Sequence, residues 1–407
     1  MFELTITPAL IALTVIMIMC LIFILTGVNR YVAGIRKYSL NCSTADKEAT
    51  EGSDGDVGFP AVSIIVYACD DDENLETLLP QLLEQDYPAN TEVILVNDGA
   101  PAGVDEVVAR LKSRFNNLYM TFVPDNSRNL SRRKLALTLG IKAARYDVVA
   151  LTGGCCRVPS SRWLRSMIRP IAEGKDITLG YSYQAIVEID DENKMRYTSP
   201  LSLWKSYDTL RNDAPYLAWA IAGRPYRGNG FNLAYRRSVF FNNKGFSKSL
   251  NLKYGDDDLF IHEVANRDNT SLDLSRYAMV AVLDSDPSAL FRRSKLHYAF
   301  TAKFLPAWGR RLFALSTAAW WITFCAGVAL SLLGWPSVYP LIAAVVLWLV
   351  LRLTTSLTWR RTSKTLKLPF GWAGVLFFPE IVMLHPIYSL YYKIVGRKHR
   401  SANFTWS

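Results

Sequence analysis

Two long stretches of this chain, 4–29 and 312–351, contain no charged residue, and this limits what the chain can fold into. A helix crossing a bilayer needs roughly 20 apolar residues, so the first stretch supplies one span. The second reaches about 60 Å as a helix, at about 1.5 Å per residue, which is enough for two. Gly334-Trp335-Pro336-Ser337 is the natural turn between them, so a two-helix hairpin is expected over 312–359. Glu3 precedes the first run and no Lys or Arg does. That is the wrong flank for a cleaved signal, so 4–29 reads as an N-terminal anchor.

The net charge is +10, but the basic residues gather at the edges of these runs. Arg30, Arg36 and Lys37 follow the first, Lys303, Arg310 and Arg311 precede the second, and Arg360, Arg361, Lys364 and Lys367 follow the third. The positive-inside rule then places the N-terminus outside and the central region in the cytoplasm, at the inner membrane. Cations at membrane edges suit anionic lipid head groups or phosphorylated substrates rather than nucleic acid. The segment 370–395 is apolar but interrupted by Pro379, Glu380, His385 and Pro386. It reads as an interfacial or re-entrant helical segment. The six cysteines include no CxxC pair, so neither a disulfide framework nor a zinc site is expected.

Between the apolar ends the texture changes twice. Residues 39–59 are polar and read as a flexible linker. From residue 60 the pattern is strand then helix, with strand starts near 62, 92, 119 and 147 and helices over 73–85, 104–115 and 131–145. One βα unit per roughly 30 residues predicts an α/β fold with a mostly parallel central sheet. Ligands of such sheets bind beyond the carboxyl ends of the strands.

Several clusters there can carry chemistry. Asp70, Asp71 and Asp72 follow the first strand and either cap the next helix or orient a ribose or base. Asp98 ends the second strand in an Asp-Gly turn. Arg132, Arg133 and Lys134 open a helix at the end where cations are unfavourable, which suggests an anionic partner. Gly228-Asn229-Gly230-Phe231-Asn232 lacks the third glycine of a dinucleotide loop. Gly255-Asp256-Asp257-Asp258 puts three carboxylates side by side where one would cap the helix, and one of them can act as a general base. Arg292, Arg293 and Lys295 stand where they can meet a diphosphate or flank a membrane span.

Over about 60–300 the chain resembles the membrane-anchored family 2 glycosyltransferases of GT-A fold. The resemblance rests on Val62-Ser63-Ile64-Ile65-Val66, Gln85-Asp86-Tyr87-Pro88, the strand ending at Asn97-Asp98-Gly99, the helix from Lys134 to Gly140, Pro159-Ser160-Ser161-Arg162-Trp163-Leu164, and the Gly255–Asp258 run. It implies that Tyr67, Ala68, Asp70, Asp71 and Asp98 hold the base and ribose of a nucleotide-sugar donor. Arg133 or Lys134 would lie near the nucleotide. Gly228, Gly230, Asn232, Arg292, Arg293 and Lys295 would serve the diphosphate and acceptor. Asp257 or Asp256 would be the base of an inverting displacement. The acceptor would be a lipid-linked or cell-envelope glycan. The family's metal-binding Asp-x-Asp should fall at Gly153, Gly154 and Cys155, where both carboxylates are missing, so a Mg or Mn cofactor is left open. No Gln-x-x-Arg-Trp run precedes the membrane helices. The alternative is a non-catalytic scaffold or regulatory subunit with envelope-assembly partners; the retained aspartates favour an enzyme.

Overall fold

A computed structural model describes residues 7–51, 58–69, 72–99, 103–124, 131–189, 195–284 and 286–398. The chain divides into two compact units. One is built from Met1–Lys37, Leu201–Ala218 and Pro306–Tyr391, the other from Tyr38–Pro200, Trp219–Leu305 and Tyr392–Ser407.

The first unit is helical. Among the described residues three helices are long and apolar enough to cross a membrane: Pro8–Asp46, Trp308–Leu333 and Tyr339–Thr365. Thr7 caps the first, its side chain accepting from the Leu10 N–H, with Pro8 in the first turn. Met17, Leu330 and Ala344 form its apolar contact. Two polar ties reinforce it, Asn29 Nδ2 to Thr355 Oγ1 at 2.9 Å and Thr362 Oγ1 to the Val32 carbonyl at 2.9 Å. The segment 370–395 forms a helix pair, Gly371–Leu376 and Phe378–Lys398. His385, which interrupts its apolar pattern, is buried and paired through Nε2 with Asp208 Oδ1 at 2.8 Å.

The second unit is an α/β domain. Its strands are β1 (Val62–Ala68), β2 (Thr91–Asn97), β3 (Leu118–Phe122), β4 (Val148–Gly153), β5 (Cys156–Arg157), β6 (Ile177–Leu179), β7 (Ser182–Gln184), β8 (Ile186–Ile189), β9 (Met195–Thr198), β10 (Leu233–Arg236), β11 (Thr270–Leu272) and β12 (Val280–Val282). Seven make the main sheet in the order β11-β6-β10-β4-β1-β2-β3. β10 alone runs antiparallel to its neighbours in it. The cause is visible in β1, where residues 62–66 are all buried: a parallel strand covered by helices on both faces is apolar throughout. Helices Asp72–Leu83, Val104–Lys112 and Arg132–Ala143 make the crossovers. At Gly140 the helix meets the sheet so closely that a Cβ would lie 2.6 Å from Ile65.

The polar stretch read as a flexible linker is helical as far as Glu51, within the helix Arg30–Glu51. Its hydroxyls find acceptors: Tyr38 donates to the Leu272 carbonyl at 2.7 Å and Ser39 to the Leu274 carbonyl at 2.6 Å. Asp46 accepts from Ser166 at 3.0 Å. Composition suggested a solvated chain, whereas the polar groups are used for docking.

Asp273 lies beneath this helix, 7% exposed. Burial, and next the nearby Asp46 carboxylate, push its carboxyl up to about 7, against the Ser275 N–H and Arg169. A carboxyl raised on folding contributes stability that is complete below its unfolded value and is lost as pH rises through the folded one. Between about pH 4 and pH 7 the unmutated chain should therefore lose roughly 2–4 kcal/mol that Asp273→Asn does not lose. Thermal melts of both chains across that range check this, and parallel curves would refute it.

Candidate active site

β1 sits between β2 and β4, so the crossovers turn opposite ways from it and a crevice opens at the carboxyl ends of β1 and β4. A cavity of about 570 Å³ lies there. Tyr67 and Ala68 line it from the end of β1, and Gly153, Gly154 and Cys155 from the end of β4. Arg133, Asp256, Asp257 and Arg293 complete the sequence-predicted residues on its wall.

The three adjacent aspartates have three different partners. Asp256 Oδ2 accepts from Arg133 Nε at 2.7 Å. Asp257 Oδ2 accepts from the Gly230 N–H at 2.9 Å, and its Oδ1 accepts from the Asp258 N–H at 2.7 Å, capping the helix Asp258–Val264. Asp258 is fully buried, taking Arg227 Nε at 2.9 Å and the Thr301 hydroxyl at 2.7 Å. His297 Nε2 stands 3.5 Å from Asp257 and 3.6 Å from Asp258, and its ring stacks on Tyr254.

These contacts set the charges. Burial alone would raise the Asp257 carboxyl. The neighbouring His297, with Arg133 and the Gly230 N–H, outweighs it and holds the group well below the usual carboxylate range. Asp258 is pushed up to about 6 by burial and by the charge of Asp257, against Arg227. His297 is raised, because the aspartates overcome the burial that opposes its charge. Asp257 and His297 thus each favour the other's charged form on the cavity wall.

Other predicted residues serve elsewhere. Asp98 is buried just behind the wall, accepting from the Tyr67 hydroxyl at 2.8 Å and from Arg132 Nε at 2.6 Å. Lys134 is turned away from the cavity: its ammonium donates to the carbonyls of Ser249, Leu252 and Tyr254. It holds the loop that carries Tyr254 against His297. Asn232 is likewise internal, donating to the Tyr181 and Ala278 carbonyls and accepting from Trp163 Nε1. Gly228 gives room to Ile261, which a Cβ would meet at 2.7 Å. Gly230 gives room to Arg133 and accepts from its Nη2 at 3.1 Å. Arg292 is exposed, and Arg292 and Lys295 are not on the wall. Asp70 and Asp71 lie outside the described residues.

The sequence reading missed His297, Thr301 and Arg227. A signal for two of them exists: Arg293, His297 and Thr301 recur every four residues on the helix Pro287–Thr301, so they share one face. That face carries the Asp284 partner Arg293, the Asp257 neighbour His297 and the Asp258 donor Thr301. Arg227 had no such signal.

Among the described residues, the end of β4, where the resemblance puts the metal, does not fit a hard divalent cation. Gly153 and Gly154 offer no side-chain ligand and the Cys155 thiol is soft, whereas Mg²⁺ and Mn²⁺ want oxygen. A ligand atom from each of Asp257, Asp258 and His297 lies within 4.8 Å of the others. Both oxygens of each aspartate, however, already accept hydrogen bonds. Asp258 also already has a cation in Arg227, with which a dication would compete in a buried place.

Residues 63–241 match the model of glycosyl transferase family 2. A stretch of 124 residues is 25% identical to the glycosyltransferase AglE of Haloferax volcanii, covering 30% of this chain and 39% of that relative's length. Among solved structures, the mannosyltransferase PcManGT from Pyrobaculum calidifontis, in complex with GDP-Man and Mn2+, aligns over 89% of this chain and 99% of its own, with a TM-score of 0.46 and 17% identity. S. aureus TarS 1–349 in complex with UDP-GlcNAc aligns over 75% and 89%, with a TM-score of 0.39 and 14% identity. The α/β unit thus contains a region, residues 63–241, that is similar to glycosyl transferase family 2, and among the described residues three helices are long and apolar enough to cross a membrane.

Proposed function

We propose that the chain moves a sugar from a nucleotide-sugar donor to a lipid-linked or cell-envelope polysaccharide acceptor, with inversion at the anomeric carbon. The observation that carries this is the Asp257 carboxyl, held by the Gly230 N–H on the wall of a cavity at the carboxyl ends of β1 and β4, within a region similar to glycosyl transferase family 2. An acceptor hydroxyl oxygen attacks the anomeric carbon while the bond to the diphosphate oxygen breaks and the diphosphate keeps the electron pair. The hydroxyl proton passes to Asp257. The Gly230 N–H and His297 orient that carboxylate. Tyr67, on the cavity wall, would meet the nucleoside, with Asp98 behind it holding the Tyr67 hydroxyl. Three apolar helices support a membrane-bound acceptor, and the flanking cations support a catalytic domain on the cytoplasmic side.

The test is transfer by membranes holding the full chain, using a panel of nucleotide sugars and lipid-linked acceptors, with the anomeric configuration of the product read by NMR. An inverted product is expected. A retained configuration would refute the single displacement. Absence of transfer with every donor, together with co-purification of an active transferase, would favour a scaffold instead.

A further inference from the structure

At the strand end where the resemblance calls for a metal, the chain has closed the space. A Cβ on Gly153 would stand 2.9 and 3.0 Å from the Phe231 ring, and one on Gly154 would stand 3.3 Å from Ala68. The position is therefore not merely short of a carboxylate; an aromatic ring occupies the place into which one would project. That same ring seats a cation. The Arg133 guanidinium carbon lies 4.7 Å from the Phe231 centroid and 5.5 Å from that of Tyr67. Its Nε is fixed on Asp256 and its Nη2 on the Gly230 carbonyl. Gly230 is the residue that permits this, because a Cβ there would come within 2.9 Å of Nη2. Two rings, a carboxylate and a carbonyl thus hold one guanidinium on the cavity wall, with a quarter of its side chain (25%) still exposed.

We propose that Arg133, and not a divalent cation, receives the diphosphate of the donor, so that nucleotide binding by this chain is independent of metal. This rests on reading the cavity as a donor site. A guanidinium stays charged at every working pH and presents a planar fork that matches two phosphate oxygens. Fixed in advance, it stabilises charge gathering on the leaving diphosphate with little rearrangement. Lys253, also on the wall, adds positive charge, whereas Arg293 there is paired with Asp284.

The experiment measures binding of UDP and of GDP to the purified full chain, in excess chelator and again with Mg²⁺ or Mn²⁺. Dissociation constants that agree within about twofold are expected. Arg133→Gln should weaken binding by about tenfold or more, with Arg133→Lys falling between because it keeps the charge and loses the fork. Binding at least about tenfold tighter with metal would overturn the inference, as would wild-type affinity in Arg133→Gln. The chelator comparison uses the unmutated chain, so it holds even where Arg133→Gln fails to fold. If neither nucleotide binds with or without metal, the donor-site reading itself fails and the inference with it; binding that appears only with metal defeats the inference alone.

Discussion

Asp257→Asn is expected to lower transfer by about 10²–10⁴-fold, the range for removing a general base, while UDP or GDP affinity changes far less. The amide has nearly the volume of the carboxylate and keeps one acceptor oxygen, but it cannot take the acceptor's proton. Its NH₂ will also face one of the two N–H groups, of Gly230 or Asp258, that the carboxylate now satisfies. Some local loosening is therefore expected, and a thermal melt separates it from the chemical effect. Asp256→Asn is the informative comparison. It releases Arg133 rather than removing the base, so its larger effect should fall on nucleotide affinity. Full turnover by Asp257→Asn would assign the base elsewhere.

The second large effect is on stability. Arg227→Met leaves the Asp258 carboxyl buried without its cation, and breaking a buried pair from one side costs about 3–5 kcal/mol. The pair is well enclosed: the Arg227 side chain is 7% exposed and that of Asp258 is 0%. Arg227 also packs on the Tyr298 ring at 3.5 Å, which a methionine partly preserves. The sign with pH follows from Asp258, already raised to about 6 with Arg227 in place. Without Arg227 it rises further, and a raised carboxyl loses stability as pH increases. The deficit of Arg227→Met should therefore be larger at pH 8 than at pH 5. Adding Asp258→Asn should recover much of it. Melts of the two variants at both pH values decide the matter, and a deficit independent of pH would show that Asp258 is not the cause.

Local signals in the sequence reached part of this structure. The four parallel strands were legible because buried strands are apolar on both faces, and runs such as Ser63-Ile64-Ile65-Val66 have few other uses. The cavity wall from Tyr67 and Gly153–Cys155 followed from the rule that loops at carboxyl strand ends bind ligands, and Asp256–Asp257 from the cost of setting three carboxylates side by side. The inserted β10 was not legible, since its four residues show no distinctive period and its partners lie far off in sequence. Lys134 was misplaced for a different reason. A cation at a helix start has two uses, meeting an anion or reaching carbonyl groups, and only the packed loop 249–254 shows which one applies. The polar stretch after residue 38 failed in the same way, because a hydroxyl destined for a buried carbonyl looks like one destined for water. His297 was readable as one of three residues spaced by four, yet its neighbours Arg292, Arg293 and Lys295 read equally well as a membrane flank.

The reversed direction of β10 has a consequence for how this domain can be rebuilt. Leu233 at its start pairs with Leu151 at the end of β4, and Arg236 at its end with Val148. The loop leading into β10 therefore stands with loops that leave the parallel strands, and residues 228–232 reach the ligand cavity from the opposite chain direction. The segment after β10, Arg237–Asn242, emerges at the other edge of the sheet. One residue added between Gly228 and Asn232 would shift Phe231 and the Gly230 backbone together, whereas one added after Arg236 would move the Arg237 N–H off the Asp147 carbonyl and the buried Phe240 ring off Phe246 and Phe260. A length change before this strand should thus disturb the cavity, and one after it the packing at the opposite end of the sheet.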